Sequence, residues 1–378
     1  MSSALEIQLI AIIVSVACAL PGAFLVLRKM SMLSDSITHT ILLGIVLAFF
    51  VTHNLNSPLL IAGAAFIGVV TVWLTETLSK TRLLSEDSAI GIVFPLLFSI
   101  AIILITRYAG SVHLDTDSVL LGELAFAPFD RMILFGADIG AKAIYTSGAL
   151  LLINVIAIVV FYKELKIVAF DPLLAAVLGF SPVIMHYGLM TLVSLTAVGA
   201  FEAVGSVLVV AFMVGPPLTA YLLTDDLKVL LLLSALFGGL SGVLGYQAAH
   251  ILDVSIAGSM AVVIGLIFAV VFILAPGRGL ISVLTRKNRN RKEFAQMTLL
   301  LHICSHRNSS TEQQENGINT ISEHLHWERK ALEKTIFALV RGKKVAIEHD
   351  LITATPIGTQ MVEDIKKNLF GVSDEGAS

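Results

Sequence analysis

Charged side chains are scarce in this chain. They make up 14% of its 378 residues, against about 25% in a water-soluble globule. With a hydrophobic fraction of 56% and a mean hydropathy of +0.88, this excludes a soluble fold for most of the length and marks a membrane protein. Cysteine is nearly absent: Cys18 lies in an apolar run and Cys304 in a polar one, so no disulfide framework holds the fold. No GxxxxGK[ST] phosphate loop occurs, so the chain is not its own ATP-driven motor. Only two Trp and six Tyr are present, which argues against a wide aromatic-lined cavity for an organic ligand. The first apolar run, 7–27, has no basic stretch ahead of it and no small-residue cleavage pattern behind it. It is read as a retained span, not a signal peptide.

The charge that is present falls unevenly. Residues 286–378 carry 14 Lys and Arg with 12 Asp and Glu, while residues 1–285 carry 11 and 16. A membrane domain, 1–285, and a small polar domain, 286–378, are therefore expected. Windows of about 20 apolar residues predict about eight or nine spans, at 5–27, 35–52, 58–78, 88–106, 142–162, 183–201, 203–223, 229–249 and 257–275, the sixth and seventh nearly continuous. Arg28, Lys29, Lys80, Arg82, Lys163, Lys166, Lys228 and Arg278 fall on one side, against Arg107, Arg131 and Lys142 on the other. Cytoplasmic loops are enriched in Lys and Arg, so the N-terminus is expected outside and the polar domain inside. The external segment 107–142 is read as partly re-entrant around LLGELAF. Between the fifth and sixth spans, YKELKIVAFDPLLAAVLGFSPV contains a short helix, with Asp171 as N-cap, Pro172 in the first turn and Gly179 at the end. Such a helix either docks a soluble partner or rests as a connector on lipid headgroups.

The runs LRKMSMLSDSITHTILLGIVLAFF, EDSAIGIVFPLLFSIAIILI, HLDTDSVLLGEL, FDPLLAAVLGF and AVGAFEAVGSVLVVAFMVGPPLTAYLL together resemble the integral-membrane permease of ABC importers for manganese, zinc and iron. The matches follow the family's order over residues 10–280. The resemblance implies an all-α, polytopic subunit in the cell membrane, paired with a second permease as a homo- or heterodimer. It implies cytoplasmic ABC ATPase subunits that dock on Asp171, Pro172, Leu173, Ala175, Leu178 and Gly179, and an extracellular metal-binding lipoprotein as donor. The permease itself is then no enzyme and holds no cofactor; its cargo is Mn, Zn or Fe.

Asp35 and His39 stand at i and i+4, on one face of a helix. An imidazole and a carboxylate suit Mn, Fe or Zn, whereas Ca or Mg favour oxygen alone. A charged group within hydrocarbon costs roughly 2.5 to 3.5 kcal/mol on insertion scales, so a partner, a cavity or an ion must offset it. In the family this DxxxH pattern lies on the translocation route. The plainer alternative makes Asp35 an N-cap and His39 a packing residue. Glu202 is a second intramembrane acid, read as a metal ligand or as a charge at the start of the next helix. Pro216 and Pro217 are read as kinking the seventh span. His53, His113, Asp115 and Asp117 are read as solvated outer groups or as attractors of cations.

After Arg278 a basic run, SVLTRKNRNRKEF, is placed against anionic headgroups. Helical periodicity then predicts helices at 294–304, 317–325 and 328–344, a two-stranded wing over VAIEHDLITATPIG and a last helix at 359–369. This order is similar to the winged-helix (α+β) domain of metal-dependent repressors of the diphtheria-toxin-repressor type. Arg329, Lys330 and Lys334 are the candidate DNA contacts. A tail net charge of plus 2 is low for a reader of duplex phosphate, and contact with protein is the competing use. His302 and His306, flanking Cys304, raise either metal sensing or plain solvation. The whole is read as a metal-importer permease, against two alternatives: the same machine carrying a chelated metal or vitamin, and a membrane-tethered transcriptional regulator.

Overall fold

The structure, a computed structural model, describes residues 3–54, 57–108, 124–134 and 137–370, leaving aside the side chain of Glu202 and a few others. The chain divides into two units, Met1–Gly279 and Leu280–Ser378.

In the first unit, helices α1 (Ser3–Leu27), α2 (Ser31–Thr52), α3 (Pro58–Lys80) and α4 (Glu86–Tyr108) precede an antiparallel hairpin, β1 (Arg131–Leu134) and β2 (Ala137–Ala141). Then follow α5 (Lys142–Val160), α6 (Tyr162–Phe170), α7 (Pro172–Val177), α8 (Pro182–Val204), α9 (Ser206–Tyr221), α10 (Leu227–Leu252) and α11 (Ile256–Leu274). Eight of these helices are long and apolar enough to cross a membrane. The seventh expected span, 203–223, is the shorter α9, because Gly205 at φ 79° and ψ 163° ends α8 and opens α9. That conformation is open almost only to glycine.

α1 is the most buried span and packs against α10, α9, α5 and α8. Lipid tails are as apolar as leucine, so membrane helices associate through close backbone approach and through hydrogen bonds between helices. Both devices are present. Gly44 of α2 faces Gly63 of α3 so closely that a Cβ on Gly44 would lie 2.3 Å from the Gly63 carbonyl oxygen. One step along the same seam, Thr71 of α3 donates to Thr40 Oγ1 of α2 at 2.8 Å.

α2 begins at Ser31, one turn earlier than the expected 35. Lys29, at φ 60°, terminates α1, and the new helix starts almost at once. Asp35 thus lies in the second turn, and the N-cap position belongs to Met30.

The second unit comprises α12 (Leu280–Ser305), the one-turn helices α13 (Glu312–Glu315) and α14 (Ile321–His324), α15 (Arg329–Arg341), a hairpin of β3 (Val345–Glu348) and β4 (Leu351–Ala354), and α16 (Pro356–Phe370). Its core joins Leu299, Leu300, Ile303, Leu332, Ile336, Leu339, Val345, Ile352 and Val362. The segment 317–325, expected as one helix, is not. Gly317 bridges Leu351, and Ile318 N–H donates to the Asp350 carbonyl at 3.0 Å. The start of the segment is therefore held along β4, and only Ile321–His324 is helical.

Candidate functional site

Asp35 and His39 share the face of α2 that turns toward α4. His39 Nε2 lies 3.5 Å from Asp35 Oδ1, with the side chains 23% and 45% exposed respectively. The imidazole packs on two aromatic rings of α4, with centroids 5.1 Å away at Phe94 and 5.9 Å away at Phe98. Around the pair, Ser34, Ser36, Thr38 and Thr40 are buried in the protomer. Their hydroxyls mostly close on the helix's own carbonyls, as Thr38 does on Asp35 at 2.7 Å. Carboxylate and imidazole therefore sit at the open edge of a polar helix face, available to an ion or to a further subunit.

Glu202 lies in the last turn of α8, which packs against α2, but its side chain is outside the described residues. Pro216 and Pro217 are buried inside α9. His53 caps α2 in the left-handed conformation, with its ring 6.2 Å from that of Phe49. His113, Asp115, Asp117 and most of LLGELAF lie outside the described residues.

The short helix α7 is set up by its sequence. Asp171 Oδ1 accepts from Leu174 N–H at 2.9 Å, Pro172 fills the first position, and Gly179 takes φ 88° just past the end. Ala175 is buried, whereas Leu173 and Val177 are 81% and 85% exposed. Leu178 is exposed as well. An exposed apolar ridge on a capped helix, steadied by contacts with α6 and α8, is a surface fit for a partner.

A polar cluster that the sequence reading passed over joins α3, α4 and α8. Glu76 pairs with His186, accepts from Tyr187 Oη at 3.1 Å and lies 3.3 Å from Lys80 Nζ. These residues, with Arg28 and Glu86, line a cavity of about 330 Å³. Glu76 was masked in the sequence by Lys80 four residues on, which reads as an ordinary helix-surface pair. Only the fold brings His186 to it.

A second unforeseen linkage holds the hairpin. Arg131 Nη1 reaches the buried carboxylate of Glu6 at 3.2 Å, and its Nε reaches Asp138 Oδ2 at 2.8 Å. Arg131 holds the Asp138 carboxyl below its ordinary range.

Residues 4–275 match the model of the ABC 3 transport family. The chain belongs to that family. It is 40% identical to the zinc transport system membrane protein TroD of Treponema pallidum over 359 residues, covering 95% of this chain and 98% of that one. It is 46% identical to the manganese transport system membrane protein MntD of Bacillus subtilis over 284 residues, covering 75% and 96%. Among solved structures, the chain resembles PsaBC from Streptococcus pneumoniae in complex with Fab, at 28% identity and a TM-score of 0.62, covering 74% of this chain and 94% of that one. The TroD match must take in most of the second unit, since the first ends at Gly279.

In the second unit of this family member, Arg329, Lys330 and Lys334 are exposed on α15. Arg329 Nε lies 3.3 Å from Glu333 Oε1, so this guanidinium already has an anionic partner.

Proposed function

We propose that the chain is the membrane permease subunit of an ABC importer that carries a divalent transition metal, Mn, Zn or Fe, into the cytoplasm. The observation that carries this reading is the Asp35 and His39 pair, 3.5 Å apart and partly exposed beside Phe94 and Phe98. It occurs in a chain whose relatives are named zinc and manganese transport proteins. One imidazole nitrogen and one carboxylate suit a first-row dication. Two ligands leave such an ion under-coordinated, and the partial exposure of the pair suits completion by a second permease subunit. Glu202 is retained as a third polar element of the route.

The energy comes from cytoplasmic ABC ATPase subunits seated on the α7 ridge around Asp171, Pro172, Leu173, Ala175, Leu178 and Gly179. An extracellular metal-binding lipoprotein delivers the ion. Residues 1–285 form the permease domain. Residues 286–378 form a cytoplasmic domain of winged-helix type, a reading supported by the order α12, α14, α15, hairpin and α16. With Arg329 engaged by Glu333, contact with protein is favoured over DNA for this domain.

The test is metal accumulation in cells supplied with the ATPase and binding subunits, comparing the parent with Asp35→Ala and His39→Ala. Each variant is expected to lose uptake of one metal by about tenfold or more, since even outer partners of metal ligands are worth that much. Undiminished uptake of every metal in both would remove the pathway.

A further inference from the structure

The second unit holds a cluster of imidazoles and carboxylate that the transport reading does not use. His302 is on the last turn of α12, His306 follows just beyond it, and Glu315 ends α13. One ligand atom from each of the three lies within 4.8 Å of the others. His302 and His306 have ring centroids 4.6 Å apart, and His302 Nε2 stands 3.7 Å from Glu315 Oε2. A fourth group, His324 at the end of α14, places Nδ1 3.3 Å from the same Glu315 oxygen.

The surroundings fix these groups. His306 Nδ1 lies 3.0 Å from the His302 carbonyl oxygen. Donation of Nδ1–H there leaves Nε2 with its lone pair, the arrangement metal-binding histidines adopt. Glu315 is held in place by the next residue. Asn316 is buried, its Nδ2 donates to the Ile303 carbonyl at 3.1 Å, and its own carbonyl accepts from Ile352 N–H at 3.0 Å. Glu315 is thus pinned to α12 on one side and to β4 on the other. Cys304, between the histidines in sequence, packs against the apolar core, away from them.

We propose that His302, His306 and Glu315 form a binding site for a divalent transition cation in the C-terminal unit, with His324 orienting the Glu315 carboxylate. Ligands on a tetrahedral zinc ion stand about 3.4 Å apart, given metal–nitrogen bonds of about 2.1 Å. His302 Nε2 stands 3.1 Å from the Glu315 main-chain carbonyl oxygen, so closing the present spacing requires this imidazole to leave that carbonyl or to bind through Nδ1. Two imidazoles and one carboxylate favour zinc over manganese, the weakest binder of the divalent first-row series. Because the ligands come from the end of α12, the residue after it and α13, with α14 behind them, ion binding is coupled to the order of the whole 302–324 segment.

The test uses the purified full-length protein in detergent, carrying Asp35→Ala and His39→Ala so that the membrane pair does not contribute. Zinc alone is titrated in by competition with a chromophoric chelator, and cobalt is added separately as a spectroscopic probe. Adding His306→Ala or Glu315→Gln is expected to remove one zinc ion per chain, and His324→Ala to weaken that ion by about tenfold. Manganese should bind the same site more weakly than zinc. Cobalt should give visible d–d absorption with no near-ultraviolet thiolate band, and Cys304→Ser should leave it unchanged. Unaltered zinc stoichiometry in both ligand variants would overturn the site. A thiolate band lost in Cys304→Ser would overturn the ligand set. If the variants fold poorly, the cobalt spectrum of the chain with its second unit intact decides alone, and absence of the d–d band counts against the proposal.

Discussion

Asn154 of α5 donates to Thr196 Oγ1 of α8 at 2.9 Å, and the same amide donates to the Ala17 carbonyl of α1 at 2.8 Å. One buried side chain thereby ties three helices. Hydrogen bonds between membrane helices average about 0.6 kcal/mol and reach about 1.7. Asn154→Leu is expected to lower unfolding stability in detergent by about 1 to 2 kcal/mol on that basis. Thermal denaturation of parent and variant at equal detergent checks it, and an unchanged midpoint would show the tie to be slack.

The Gly44 and Gly63 contact leaves no room for a side chain. Gly44→Val should destabilise the α2 and α3 pair by about 1 to 3 kcal/mol, the range for overpacked sites. The same helix carries Asp35 and His39 on its face toward α4, so metal accumulation should fall with it. Normal yield, midpoint and uptake together would contradict this close approach.

The ridge on α7 allows partner binding and folding to be separated. Leu173→Asp and Val177→Asp change exposed positions, so the midpoint should move by no more than about 0.5 kcal/mol equivalent. Co-purification of the ATPase subunit should nevertheless be lost. Retention of the ATPase by both variants would locate docking elsewhere.

Asp226 caps α10 by accepting from Lys228 N–H at 2.8 Å and Val229 N–H at 3.2 Å. Those bonds, from Val229 first and then Lys228, hold its carboxyl below the ordinary range. A lowered folded pKa stabilises the fold above the unfolded value of about 3.9, and that contribution is lost as pH falls through the lower folded value. Asp226→Asn retains a capping oxygen without titrating, so its midpoint should fall less than the parent's between pH 5 and about pH 3. Parallel curves would assign the acid sensitivity to other groups.

Glu76 is the one carboxylate shared by His186, Tyr187 and Lys80. Glu76→Gln should cost about 1 to 3 kcal/mol, the range for buried polar groups deprived of a partner. Tyr187→Phe, which removes a single donor, should cost less. Equal midpoints for parent and Glu76→Gln would reduce the cluster to a chance meeting.

Legibility in the sequence followed the range of the interactions. Hydrophobic run length located the spans because a bilayer imposes a length, and Asp171, Pro172 and Gly179 announced α7 because capping is local. The i, i+4 spacing alone put Asp35 and His39 on one face. The break between the sixth and seventh spans was expected at 202, but Gly205, which makes it, was hidden, because a glycine in an apolar run is compatible with either a helix or a turn. The Glu76 and His186 cluster was hidden for a different reason, since its members are more than a hundred residues apart and only the packing of α3 on α8 unites them. In the second unit, periodicity suggested one helix at 317–325, whereas the long-range bridge from Gly317 to Leu351 took the start of that segment into the sheet.

The 16 residues of α9 rise about 24 Å, less than the roughly 30 Å thickness of a hydrocarbon slab. Irregular backbone at such depth survives only where protein, not lipid, surrounds it. α9 meets that condition, wedged among α1, α2, α8, α10 and α11. Position 205 consequently behaves as a concealed seam between two rods, and any residue with a side chain there would strain the joint that sets their relative tilt.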